Sequence, residues 1–386
     1  MSDFGAALRH KFRLEPGVDF INHGSFGAAP IEVLDAATRW RERMEANPDH
    51  FLRDVLPAEL RGAAAELARF IHAEPADVVF VENATAAINA VLRSLQFKRG
   101  DEILVTSQSY GAVRQAVRYI CERSGSRAVE PHVAVPIASA QPLLEAFEST
   151  LGERTRLVIV DHISSPTGLI WPVAEIAAAA RRRGAFVLVD GAHAPGQVEL
   201  DVAALDADWY AGNCHKWLFA PRGCAFLWSR SESKSLVHPL AISHGYGGGF
   251  TGEFDWPGTR DFSPWLAVGA GLRFLNGLGA ERVRRYCHEL AARSAAKIAA
   301  AWQQAVDGPP ALHGSMTAIR LPAAWQQAGA TRDAAQRLQS QLLAKQRIAV
   351  AIAAIDGALW ARISAQIYNV DADYERLIEA GLHGPA

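Results

Sequence analysis

Short, continuous apolar runs recur along much of the chain, each followed by a longer stretch whose apolar residues fall at helical spacing. Val78–Val81, Ile103–Thr106, Leu157–Val160, Phe186–Val189 and Cys224–Trp228 read as strands. Helices are predicted over Ile31–Glu45, Pro57–His72, Ala86–Leu95, Gly111–Ser124 and Val173–Arg183, the last ended by Gly184. Short apolar strands alternating with longer helices predict an α/β architecture with a mainly parallel sheet. Polar residues cluster just after the strand ends, at Asn83/Thr85, Ser107–Tyr110, Ser164/Ser165 and Asp190/His193. Open α/β sheets bind ligands outside the carboxyl ends of their strands, so these loops are expected to meet at one crevice.

Beyond Ser243 the pattern changes. His244–Phe250 and Trp256–Asp261 form a glycine-rich, aromatic connector. A long helical stretch follows from Trp265 to about Ala305, interrupted near Gly277–Gly279. A strand at Thr317–Leu321, a helix at Thr331–Arg347, apolar stretches at Ile348–Ile355 and Leu359–Ile363 and an amphipathic Tyr374–Ala380 complete a smaller α+β domain. The expected division is an N-terminal segment 1–20, a large domain 21–264 and a small C-terminal domain 265–386.

Composition narrows the class. With 386 residues, more than one core is expected, and 49% hydrophobic with 21% charged residues is the balance of a soluble globular protein. The 39 basic and 41 acidic residues leave no excess for nucleic acid. The charged amino terminus has no apolar core of a signal peptide, and the Ala-rich stretches are too short to span a bilayer, so a cytoplasmic protein without membrane partners is expected. Cys121, Cys214, Cys224 and Cys287 lack CxxC spacing, which suits reduced thiols. No HExxH or Cys/His pattern suggests a metal, and no GxSxG elbow suggests a hydrolase.

The candidate chemistry lies between Phe186 and Gly223. Asp190 ends an apolar strand, and Lys216 sits between His215 and Trp217-Leu-Phe219. A buried carboxylate and a lysine in an apolar loop are the two fixed points of a pyridoxal 5'-phosphate (PLP) enzyme: the amine bonds the cofactor and the carboxylate pairs with its ring nitrogen. Each residue also has a plainer reading, Lys216 as a surface lysine and Asp190 as a helix cap. Asn83-Ala-Thr85 suits both an N-cap and a phosphate site, because free N–H groups at a helix start serve either purpose.

The motifs FINHGSFGAAP, ENATAAINA, SYGAVRQAV, DHISSPTGLIWPV, VDGAHAPG, NCHKWLFAPRG, WPGTRDFSPW and WARISAQIYN occur in this order between residues 20 and 369. In this collinear set the chain resembles the class V (fold type I) PLP-dependent aminotransferase superfamily, in its isopenicillin N epimerase-like branch. The resemblance implies Lys216 as Schiff-base lysine, Asp190 as partner of the pyridine nitrogen and His193 beside the ring. It implies Tyr110 stacked on the ring, Asn83, Ala84, Thr85, Asn213 and His215 around the phosphate, and Ser165 near the cofactor. It further implies Arg362 as clamp for the substrate carboxylate, and Asn22 and His23 in the substrate pocket. Thr259 would reach the phosphate of a neighbouring subunit, which implies a homodimer. Cysteine desulfurases need a mobile cysteine in the C-terminal domain; none follows Cys287, so persulfide chemistry is not expected.

The expected function is a PLP-dependent enzyme acting at Cα of an amino acid or amino-acid conjugate, isopenicillin N epimerase-like, with Lys216 as general base. The alternative is a C–S β-lyase on a cysteine conjugate, and a third reading is a PLP- or ligand-binding protein without turnover. Epimerisation needs a second acid/base, for which Tyr110 and His23 are the candidates.

Overall fold

A computed structural model of the chain describes residues 4–327 and 329–384. Its strands, in chain order, are β1 (Asp19–Phe20), β2 (Val78–Val81), β3 (Glu102–Val105), β4 (Arg127–Val129), β5 (Thr155–Asp161), β6 (Phe186–Gly191), β7 (Trp209–Asn213), β8 (Ala225–Ser229), β9 (Met316–Arg320), β10 (Ile348–Ala349), β11 (Ala351–Ile355) and β12 (Ala358–Ser364). Seven of them form the central sheet in the order β2-β8-β7-β6-β5-β3-β4. Only β8 runs against its neighbours, β2 and β7, so the sheet is mainly parallel, as the apolar runs predict.

Alternate side chains of these strands enter two different apolar layers. Leu104, Val158, Val160, Val187 and Val189 pack on one face, and Ile103, Val105, Leu157, Ile159 and Leu188 on the other. Helices Ala84–Ser94 and Gly111–Ser124 contribute to the second layer, and Leu56–Phe70 and Val173–Arg182 to the first. Cover on both faces is why these strands read as unbroken apolar runs rather than alternating ones. Each buried Val, Leu or Ile contributes about 1.5–3 kcal/mol, and that packing holds the strand ends where they are.

β7 was not predicted, because Trp-Tyr-Ala-Gly-Asn is neither a continuous apolar run nor an alternating one. Its place comes from pairing on both sides, Asp190 with Ala211 towards β6 and Gly212 with Phe226 towards β8. The glycines here are needed for ring packing: a Cβ on Gly191 would lie 2.1 Å from the Tyr210 ring, and one on Gly212 2.3 Å from that of Phe226. The strand β4 and the helix Gln141–Glu148 also had no clear pattern.

The predicted long helix divides into Ser263–Leu266, Val268–Leu278 and Ala280–Trp302, the last break at Gly279 with φ 80°. An antiparallel sheet in the order β11-β12-β9 packs against helices Ala280–Trp302 and Arg332–Gln346. The amino-terminal segment belongs structurally with this part. β1 pairs in parallel with β10, Asp19 opposite Ile348, and the Gly5 amide donates to the Ile367 carbonyl at 2.6 Å. Among the described residues no helix is long and apolar enough to cross a membrane.

Candidate active site

The carboxyl ends of β3, β5, β6 and β7 open into a cavity of about 470 Å³. It is lined by Asn83, Ala84, Thr85, Tyr110, Ser165, Asp190, His193, Asn213, His215 and Lys216, which brings ten predicted positions from five separate segments together. Larger depressions exist, including one of about 720 Å³ lined by Glu66, Arg69, Arg273 and Arg284, but it gathers none of these groups.

Asp190 ends β6, only 4% exposed, and its Oδ1 accepts from the Ala192 amide at 3.0 Å. β7 leads directly into the Lys216 loop, which is closed by amide bonds from Cys214 and His215 to the Cys224 carbonyl at 3.0 and 3.1 Å. The loop is pinned from outside as well. His23 Nε2 lies 2.9 Å from the Lys216 carbonyl and 3.1 Å from Gln366 Nε2, and its Nδ1 lies 2.8 Å from the Tyr368 hydroxyl. Gly27, at φ 69°, passes so close that a Cβ there would lie 2.0 Å from the His215 carbonyl oxygen.

Lys216 Nζ lies 3.1 Å from His193 Nε2. Burial, then the Arg362 charge, lowers the lysine to about 7, with Asp190 opposing them. Burial and the same two cations, Lys216 and Arg362, keep His193 neutral, well below the usual imidazole range. Burial likewise takes His23 and His215 down to about 4. Asp190 is raised by burial, while the Ala192 amide and Lys216 draw it back.

Arg362 reaches this region from β12, in the C-terminal sheet. Its guanidinium donates to the Ser165 carbonyl, to Asn22 Oδ1 at 3.0 Å and to Ser25 Oγ at 3.1 Å, while its buried Nε has no partner among the described residues. Every one of these acceptors is neutral, and burial lowers the group to about 10. It lines a second cavity that shares Ser25, Tyr110 and Ser165 with the first.

Not every predicted residue faces the cavity. Asn22 and His23 lie behind it, holding Arg362 and the Lys216 loop respectively. Thr259 lines a separate depression with Asp49, Arg53, His244 and Trp256. Asn83 Oδ1 accepts from the Ala86 amide at 2.8 Å, so its cap geometry is real, and Asn213 Oδ1 holds the Ala84 amide at 2.9 Å. Ser25, Phe26, Glu82, Asp161 and Arg222 line the cavity without having been predicted. Of these Asp161 had a signal, since Val158-Ile-Val-Asp161 repeats the pattern of Val187-Leu-Val-Asp190.

PLP has an aldehyde, a ring nitrogen and a phosphate, and the cavity presents a counterpart to each. Lys216 supplies a near-neutral amine and Asp190 a buried carboxylate. At the start of helix Ala84–Ser94, Thr85 lines the cavity together with Asn213 and His215. Among the described residues the buried His193 Nδ1 has no partner, which leaves it to meet a ligand. The residues fit the group. Cys287, by contrast, is buried in helix Ala280–Trp302 with its thiol on Gln366 Oε1 at 3.6 Å, no place for a mobile nucleophile.

The aminotransferase class-V family model matches residues 27–377. The chain is 36% identical over 396 residues to isopenicillin N epimerase of Amycolatopsis lactamdurans, covering 97% of each chain. It is 35% identical over 418 residues to a putative L-cysteine desulfhydrase 1 of Oryza sativa subsp. japonica, covering 97% of this chain and 85% of that one. In fold it is similar to a C-DES mutant with glycine covalently linked to its PLP cofactor, at TM-score 0.80 and 24% identity over 96% of this chain and 98% of that one. A cysteine desulfurase of Thermococcus onnurineus gives TM-score 0.82 at 21% identity over 98% and 97%. The chain belongs to the aminotransferase class-V family of PLP-dependent enzymes.

Proposed function

We propose that this enzyme acts at Cα of an amino acid or amino-acid conjugate, with Lys216 as base, Asp190 and His193 at the cofactor ring and Arg362 as carboxylate clamp. One observation carries the reading: a lysine amine lowered to about 7 lies near a buried guanidinium whose acceptors among the described residues are all neutral. When bound, PLP supplies the electron sink for the pair released at Cα. Arg362 holds the substrate carboxylate by paired N–H donors, which fixes the orientation of the Cα–H bond. Lys216 takes that proton, since an amine lowered to about 7 has a substantial unprotonated fraction at neutral pH and is still basic enough to accept. His193, neutral and 3.1 Å away, aims the amine. Asp190 would keep the ring nitrogen protonated, and Thr85 at the start of helix Ala84–Ser94, with Asn213 and His215, would hold the phosphate.

The leading reading is isopenicillin N epimerase-like, with Tyr110 as the acid on the face opposite Lys216. One observation favours the alternative, a C–S β-lyase: His23, the other candidate, has both ring nitrogens engaged outside the cavity. β-Elimination needs only the Lys216 face. The named L-cysteine desulfhydrase and epimerase relatives span the same two outcomes. Incubation with an amino-acid panel in deuterated water separates them. Cα exchange without keto acid supports epimerisation, pyruvate release supports the β-lyase, and keto acid that requires an acceptor supports transamination; none of the three on any substrate refutes catalysis at Cα. Purified protein should show a visible-edge absorption band that Lys216→Ala abolishes.

The assembly proposed is a homodimer in which Thr259 serves the neighbouring site. In its own chain Thr259 stands apart from the Lys216 cavity, which supports that reading. Mixing inactive Lys216→Ala and Thr259→Ala chains should restore part of the activity through hybrid dimers, and no recovery on subunit exchange counts against it.

A further inference from the structure

One buried acid in the cavity has no part in the chemistry above. Asp161 ends β5 as Asp190 ends β6, and the two are register partners on adjacent parallel strands. They are 2% and 4% exposed and line the same cavity. Parallel partners lie about 4.8 Å apart along the hydrogen-bonding direction, so the two acids stand side by side on neighbouring strands, close enough to feel each other's charge in a dry setting. Two like charges so placed disfavour each other's ionisation, so the acid without a cation beside it is the one that keeps its proton.

The cations and other titratable groups nearby are unevenly shared. From the Lys216 loop, Lys216 acts on Asp190. From β6, Asp190 itself is the charge that faces Asp161, and His193 turns to Lys216. Just after β5, His162 turns to the Tyr210 hydroxyl of β7 at 3.0 Å, and burial takes that imidazole down to about 4, so it brings no positive charge. Arg362 acts on His193 and Lys216. From the loop after β3, Asp161 receives the Ser109 hydroxyl and faces the Tyr110 amide, both neutral donors. Ser109 is itself bonded to Thr106 Oγ1 at 2.9 Å. Among the described residues Asp161 makes no ion pair.

We propose that Asp161 is a positioning residue that remains a neutral carboxylic acid, so that Asp190 is the one anion at this end of the cavity and meets the ring nitrogen alone. Burial and the Asp190 charge both push Asp161 well above the carboxylate range, which agrees with this placement. The neutral acid still accepts from Ser109 and the neighbouring amide. It thereby holds the turn that carries Tyr110, the residue placed for the ring face, without adding a second negative charge below the ring. An ionised Asp161 would raise the proton affinity of every group around it, Lys216 included.

Infrared spectroscopy of the holoenzyme at neutral pH tests this directly. Asp255 and Asp307, pushed up to about 6, are then mostly ionised and contribute little. Wild-type protein should show a protonated-carboxyl stretch that moves on transfer to deuterated water and is missing in Asp161→Asn. Because Asn replaces one neutral group by another, the pH midpoint of the visible cofactor band should stay in place. Ser109→Ala, a second variant, should shift the stretch to higher frequency by removing one hydrogen bond, without abolishing it. The proposal is overturned if wild type lacks the stretch, if Asp161→Asn keeps it, or if Asp161→Asn lowers the midpoint by about one unit, a tenfold change in proton affinity that only a lost anion would cause. The infrared measurement needs no turnover, so its result is independent of which reaction the enzyme performs.

Discussion

Lys216 Nζ and His193 Nε2 lie 3.1 Å apart, and both residues are buried beside Asp190. A lysine lowered to about 7 there, against 10.5 in an open chain, is a statement about stability as well as reactivity. Between these values the unfolded chain binds a proton that the folded chain does not, so folded stability rises as pH rises through the window. The cofactor-free enzyme should therefore gain stability relative to Lys216→Met as the pH is taken from about 7 towards 10. Denaturant midpoints of the two proteins measured across that range check this, and a constant difference contradicts it.

The buried imidazoles predict the opposite end of the scale. His23, His162 and His215 are each lowered by burial from 6.5 to about 4. In that interval the unfolded chain again binds more protons, so stability is lost as pH falls from 6.5 towards 4. His162→Gln, which can retain a hydrogen bond to Tyr210 without titrating, should lessen the acid loss in chemical denaturation. An acid profile as steep as that of wild type would show that His162 is not one of its sources.

Gly27 should be far less replaceable than Gly17. Both have positive φ, 69° and 73°, but a Cβ on Gly17 meets nothing within 4 Å. On Gly27 it would strike the His215 carbonyl at 2.0 Å and lie 3.0 Å from the Lys216 Cα. Gly17→Ala should cost about 1 kcal/mol, from backbone strain alone. Gly27→Ala should cost about 2 kcal/mol or more and release PLP more readily, because the lysine loop must move. Equal melting temperatures and equal cofactor retention for the two variants would refute this.

Arg362→Ala should weaken carboxylate substrates much more than their decarboxylated amine analogues. Losing one partner of a buried charge pair costs about 2–5 kcal/mol, read here in kcat/KM. Arg362→Lys should recover little, since an ammonium cannot reproduce the paired donors. The same loss for acids and amines would mean that Arg362 only supports the fold through Asn22, Ser25 and Ser165.

Much of the molecule was legible in local pattern. Val78–Val81 and Gly111–Ser124 have the predicted bounds, and the other predicted strands and helices of the large domain differ mainly at their ends. That follows from physics: a strand covered on both faces must be apolar throughout, and a helix on its surface must repeat at 3.6 residues. Asp190 and Lys216 were visible for a related reason, because charge at the edge of an apolar run is conspicuous.

What the pattern lacked was anything decided by pairing across distance. β7, which carries the chain to Lys216, owes its existence to partners on both sides and to glycines that admit the rings of Tyr210 and Phe226. His23 reads in sequence as a pocket residue, yet tertiary contacts turn both its ring nitrogens to Tyr368 and the Lys216 carbonyl. The two Val-rich runs ending in Asp161 and Asp190 look alike as sequence. Only their register on adjacent strands, and the single lysine that faces one of them, makes the two acids unequal. The sequence determined the elements and the reactive groups, since both depend on local composition and spacing. The tertiary structure decided which groups share a dry cavity and which carry charge there, because desolvation and mutual repulsion exist only once distant segments have met.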